Sequence, residues 1–231
     1  MTVFLSLALA VLTAATSAQQ AMPVSDVETV AGHAVSMDFV RAGLTVPHWS
    51  IAIHEDGSGR YEEIDGADKT ANTSESVRQS IRVSHATLQR LGAGFDAVSA
   101  KRCETKAKHV ANTGQKTIVY KTGPEASVNC TFNYSDDEKL QDAANAFLAI
   151  AATMQMGAQL AKLHRYDRLG LDAQIQYLDE ETKAGRASDV QNIAAVLKSI
   201  AEDDRVIDRV RRMAARMLTD AGEVAPVIGP R

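Results

Sequence analysis

Apolar and polar residues change rhythm once along this chain, near Ser135. Before that point the period is two. In "HAVSMDFVRA", Val35, Met37 and Phe39 alternate with Ser36, Asp38 and Val40, and in "HWSIAIHE", Trp49, Ile51 and Ile53 share one side. Successive side chains of a strand point to opposite faces, so both runs predict strands with one buried face. "GRYEEID", "SVRQSIRV", "KTIVYKTG" and "ASVNCTFNY" extend the series to about six strands, with a hairpin around "GPE" and a polar loop at "GADKTANTSE". Connections this short favour antiparallel pairing. One helix is expected among them. Ser84 would cap "HATLQRLGAGFDAVSA", where Leu88, Leu91, Phe95 and Val98 recur at helical spacing, although Gly92 and Gly94 weaken it.

After Ser135 the period is helical. Ser135 with Glu138 reads as a capping box, and Asp136 and Asp137 suit the positive end of a helix. Leu140, Phe147, Ile150, Met154, Ala158 and Ala161 spread over overlapping faces, so this Ala-rich helix should be packed on more than one side. "LDAQIQYLDEETKAG" turns Leu171, Ile175 and Leu178 inward and stops at Gly185. Ser188 with Gln191 reads as a second capping box ahead of Val190, Ile193, Leu197 and Ile200. Asp203 or Asp204 would cap a last helix that buries Val206, Val210, Met213 and Met217. The expected fold class is therefore α+β: an N-terminal antiparallel sheet with one packed helix, followed by a C-terminal helical bundle of about four helices.

The apolar run Val3 to Thr16 is too short to anchor a bilayer, and Thr16 and Ala18 place small residues for cleavage after Ala18. This reads as a signal peptide over 1–18. A disulfide-braced region over 19–134, a helical region over 135–219 and a flexible tail over 220–231 complete the expected organisation. Two cysteines, Cys103 and Cys130, in an exported chain predict one disulfide. The expected location is the bacterial periplasm or the extracellular space. A net charge of -4 carries no basic excess for nucleic acid. No second apolar run reaches the roughly 20 residues of a membrane span. Ala143 to Leu163 comes nearest, but Asn145, Gln155, Gln159 and Lys162 interrupt it, so no transmembrane anchor is expected in the mature chain.

Candidate chemistry is sparse. "HEDGSGRYEEID" imitates a calcium loop, with Asp56, Ser58, Gly59 and Asp65 at ligand-loop positions. His54 at its first position is a poor partner for a hard cation, and the flanking strand pattern argues for a hairpin turn over Asp56–Gly59 instead. The run "WSIAIHEDGSGRYEE" resembles the aromatic-apolar strand and Asp-Gly turn of some small secreted bacterial domains of unknown function. It covers one hairpin and implies no residue roles. No nucleophile elbow, zinc spacing or Gly-rich phosphate loop is present, so no cofactor is implied. A hydrolase would have to draw on scattered groups, with His48, His54 and Tyr61 the first to consider. Arg205, Arg209, Arg212 and Arg216 form a stripe on the last helix, the most partner-like surface feature in the chain. The first expectation is a non-catalytic exported protein that binds a protein partner or contributes to the envelope. An exported hydrolase and a metal-responsive module at Asp56–Gly59 are the alternatives.

Overall fold

The computed structural model describes residues 33–64, 77–123 and 125–228. The expected leader, Asp65 and the polar loop after it lie outside them. Six strands form one sheet: β1 (His33–Val40), β2 (His48–His54), β3 (Ser58–Glu63), β4 (Val77–Arg82), β5 (Gln115–Lys121) and β6 (Ser127–Phe132). Their order is β4-β3-β2-β1-β5-β6, and every neighbouring pair is antiparallel. The alternation sets the faces. Met37, Ile51, Tyr61 and Ile118 lie side by side in register and are fully buried. The opposite face carries polar groups such as Asp38, Ser50 and Thr117, with a Thr117–Thr131 hydroxyl bond of 2.9 Å.

The β2–β3 turn shows why two glycines sit there. Gly57 donates its N–H to His54 O at 3.1 Å and adopts φ +78°, a conformation that side chains rarely take. Gly59 serves close approach instead. It pairs with Ile53 inside the ladder, and a Cβ there would collide with the Ala52 carbonyl. Ser58 and Gly59 thus belong to β3, and the turn expected over Asp56–Gly59 is shorter than that.

The described residues form six α-helices, two before Ser135 and four after it: α1 (His85–Ala93), α2 (Phe95–Ser99), α3 (Glu138–Tyr166), α4 (Leu171–Lys183), α5 (Ala194–Glu202) and α6 (Asp208–Asp220). The single helix expected after Ser84 is two. Ser84 does cap α1, accepting from Thr87 N. The break falls at Gly94, whose Cβ would stand 2.7 Å from the Tyr120 hydroxyl. That hydroxyl donates to Leu91 O at 2.5 Å, so strand β5 passes where a continuous helix would need side-chain room.

Three caps also shift from their sequence positions. Asp137, not Ser135, caps α3 by accepting from Lys139 N and Leu140 N, while Ser135 Oγ supports the Asp137 amide. Ser188 and Gln191 form no capping box, because residues Val190–Ile193 make a 3₁₀ turn first. Asp203 precedes a turn, and α6 begins after Ile207. Gln191 and Asp203 bond distant residues, Arg82 and His164, while keeping short-range bonds to Asp189 and Arg205.

Helix α3 is 29 residues long and packs against α1, α2, α4 and α5. Leu140, Phe147 and Ile150 are fully buried. At Gly157 a Cβ would collide with Ile193, so this mid-helix glycine admits the 3₁₀ turn. One apolar core continues from the sheet into the later helices. No helix among the described residues is long and apolar enough to cross a membrane. Residues 221–228 are irregular, with Ala221, Ala225 and Ile228 resting against the core.

Segment 188–192 joins the two halves. Asp189 adopts φ 55° and is 9% exposed. Its carboxylate accepts from Ser84 N at 2.7 Å and Thr87 Oγ1 at 2.8 Å. Ser188 N donates to Thr153 Oγ1 on α3, which in turn donates to Ser188 O at 2.7 Å. Beside them, Asn192 Oδ1 accepts from Arg82 N at 2.7 Å, and Asn192 Nδ2 donates to Arg82 O at 3.0 Å.

Cys103 and Cys130 are joined in a disulfide, with Cα atoms 5.9 Å apart. It ties the segment after α2 to strand β6.

Candidate functional site

An open groove forms where the sheet and α3 diverge. Its floor begins with one row of the sheet. Trp49, Phe39 and Lys116 are register neighbours across β2, β1 and β5. Phe39 and Trp49 stack with centroids 5.0 Å apart, and Trp49 tilts toward Tyr61 at 6.3 Å. Flat rings in contact bury apolar area and resist rearrangement. The facing wall is a stripe on α3. Gln141, Asn145, Leu148, Ala152 and Gln155 recur every three or four residues, so they share one face of that helix. Leu44 and Tyr134 stand at the rim and are 42% and 41% exposed. The space within the groove is about 660 Å³, large enough for a small organic molecule.

The polar groups of this groove are held in place. Gln155 Nε2 donates to the Tyr61 hydroxyl at 3.2 Å, and that hydroxyl donates to Glu63 Oε1 at 2.9 Å. Burial, with Glu63 beside it, pushes the Tyr61 phenol well above its usual range, so it stays protonated. Lys116 is 1% exposed. Its Nζ donates to Asn133 O at 2.7 Å, Thr113 Oγ1 at 3.1 Å and Gly114 O at 3.2 Å. Those three oxygens use all three of its protons. The ammonium also stands 5.9 Å from the Phe39 ring centre. Burial, with the Arg41 charge nearby, pushes its pKa down to about 8.

A second cavity, of about 740 Å³, borders the disulfide. Three of its charged side chains are engaged within the chain. Arg102 approaches Asp137 at 3.6 Å, and Asp136 accepts from Thr105 Oγ1 and from Lys106 N.

The residues singled out in the sequence do not converge. Tyr61 lies on the buried face, whereas His48 and His54 have the opposite parity. His48 Nε2 bonds Asp38 Oδ2 at 2.7 Å on the polar face. At the hairpin, Asp56 Oδ1 accepts from both Ser58 N and Ser58 Oγ, which fastens the turn. Among the described residues no group of three or more His, Cys, Asp or Glu is placed to hold a metal ion.

The arginine stripe is engaged internally. Arg209 pairs with Asp172, Arg216 with Asp179 at 2.7 Å, Arg205 with Asp203 at 2.9 Å and Arg212 with Asp208 at 4.0 Å. Two of these pairs link α6 to α4. Such exposed pairs contribute about 0–1 kcal/mol each.

The helices assemble one constellation that sequence spacing gave no sign of. Ser199 Oγ lies 3.4 Å from His164 Nδ1, and His164 Nε2 lies 2.9 Å from Asp203 Oδ2. Ser, His and Asp are the residues of a hydrolytic triad. Their other bonds also tie each of them into the fold. Ser199 Oγ donates to Val196 O at 2.8 Å. Asp203 is held by Arg205 through its backbone N and its guanidinium, with Arg168 at 3.5 Å. Those cations neutralise the carboxylate that would have to stabilise an imidazolium. Neither cavity described above touches this cluster. His164 and Asp203 are 39 positions apart, so no local motif could have paired them.

Hydrogen bonds from Arg205 hold the Asp203 carboxyl well below the usual carboxylate range. Its side chain is only 8% exposed. A carboxyl depressed in the folded state contributes stability that is complete above its unfolded value of about 3.9. That contribution is lost as pH falls through the lower, folded value. Asp203→Asn should therefore lower stability at neutral pH and flatten its decline below about pH 4. Denaturant unfolding at a series of pH values measures both; parallel curves for the variant and the parent would remove Asp203 from the acid response.

Compared with family models and with curated proteins, the chain matches none.

Proposed function

We propose that this chain is an exported, non-catalytic binding module, and that its binding element is the groove between the Phe39–Trp49 row and α3. The observation that carries this reading is the open space itself. About 660 Å³ is bounded by stacked aromatics, Leu148, Ala151 and Ala152, with amides fixed at its edge. A preformed apolar cleft with a few placed polar groups is the common form of a small-molecule site. The non-catalytic part rests on how the triad-like residues are taken up by internal bonds. The export part rests on the apolar run Val3 to Thr16 and on the disulfide, which suits an oxidising compartment. N-terminal sequencing of the mature protein checks it, with Gln19 expected first.

The neutral dye N-phenyl-1-naphthylamine tests the groove. It should brighten in the presence of the folded chain. Ala152→Phe places a ring in the cleft and should weaken that response at least tenfold, with its melting temperature confirming the fold. Equal brightening by both proteins, or none by the parent, removes the groove as the binding element.

A further inference from the structure

The groove carries an imbalance of charge. Its lining includes Arg41 and Lys116 and no Asp or Glu. Among the described residues the Arg41 side chain has no carboxylate partner, and it is exposed. Lys116 is buried with only neutral oxygens around its ammonium. The nearest acid on the same sheet row, Glu63, stands beside Trp49 but is held by the Tyr61 hydroxyl and does not line the space. Two uncompensated cations therefore face one side of an apolar cleft, in a chain whose net charge is -4. A buried cation without a counter-ion is costly, and an anion brought near it relieves that cost.

We propose that the groove's ligand is an anionic amphiphile, an apolar body with a carboxylate or phosphate head, oriented by Arg41 and Lys116. The inference rests on the groove reading above and adds the chemistry of its occupant. The two cations act differently. Lys116 has used its three protons on Asn133, Thr113 and Gly114, so it contributes field and no direct bond. Arg41 has its guanidinium donors available and makes the bond to the head. The body lies along Leu148 and Ala152, against the ring floor.

Competition against the bound dye tests this, with four ligands of one chain length below micelle formation: decanoate, decyl phosphate, decanol and decylammonium. Decanoate or decyl phosphate should displace the dye about tenfold more tightly than decanol, with decylammonium weakest. Whichever anion is tighter identifies the head group. Arg41→Gln should remove most of the anion's advantage and leave decanol unchanged. Decanol equal to both anions, or an Arg41→Gln protein that keeps full preference, overturns the inference. In either case the dye response and its loss in Ala152→Phe still stand, so the groove reading survives on its own evidence. A dye that never responds defeats the groove reading first.

Discussion

Asp189→Ala is expected to lower the stability of this protein by about 3–5 kcal/mol. Three costs combine. The part-buried Ser84 amide loses an acceptor at 2.7 Å, and the buried Thr87 hydroxyl loses one at 2.8 Å. A hydrogen bond to a charged group is worth about 1.5–3 kcal/mol, and leaving a buried donor unmatched adds to the loss. Alanine must also hold φ 55° at this position, which costs about 1–2 kcal/mol. A substitution series separates these terms. Asp189→Asn keeps an acceptor and tolerates the left-handed backbone, so it should cost least. Asp189→Gly relieves the backbone but not the donors and should fall between. For a chain of this size the alanine variant should melt about 10 °C lower. Hydrogen exchange gives the sharper test, because the Ser84 amide should lose protection in Asp189→Ala before the centre of α3 does. Unchanged exchange at Ser84 would mean the carboxylate does not hold the two halves together.

Asp189 also shows where sequence reading stopped. The strands were legible because one face of each is buried: Val35, Met37 and Phe39, then Trp49, Ile51 and Ile53, all lie in the core. The six-stranded antiparallel sheet and the helical C-terminal part follow from that rhythm. Cap residues were less legible. Ser188–Gln191 has the composition of a capping box, yet Gln191 Nε2 donates to Arg82 O, 109 positions away. A tertiary bond has taken a side chain that local spacing assigns to its own helix. The groove was hidden for the same reason. Trp49 was expected in the core and is 2% exposed. That its row also floors a cleft depends on how α3 crosses the sheet. Gln141, Asn145, Leu148, Ala152 and Gln155 looked like ordinary positions of a helix packed on several sides. Lys116 carried no signal at all, since a lysine on an alternating strand is expected in water.

Replacing both Cys103 and Cys130 by Ala should cost about 3–4 kcal/mol. The bridge spans a sequence separation of 27 and encloses the segment after α2, strand β5 and the start of strand β6. Constraining a loop of that length in the unfolded chain gives roughly this value in the entropy model. Both cysteines are 6% exposed, so reductant alone should act slowly on the folded protein. Equilibrium unfolding in denaturant, comparing the double variant with the oxidised parent, measures the effect as a lower midpoint. Matching midpoints would show that the cross-link does not restrict the unfolded ensemble in this way.

The side-chain amide of Asn192 does more than join the halves. It meets the N–H and the C=O of Arg82 as a neighbouring strand would. Strand β4 is an edge of the sheet, and a free edge invites another chain to add to it. With the Arg82 rung already occupied, an incoming strand would have to evict an intramolecular partner before its own register could settle. The asparagine thus acts as a plug on the last rung of this edge.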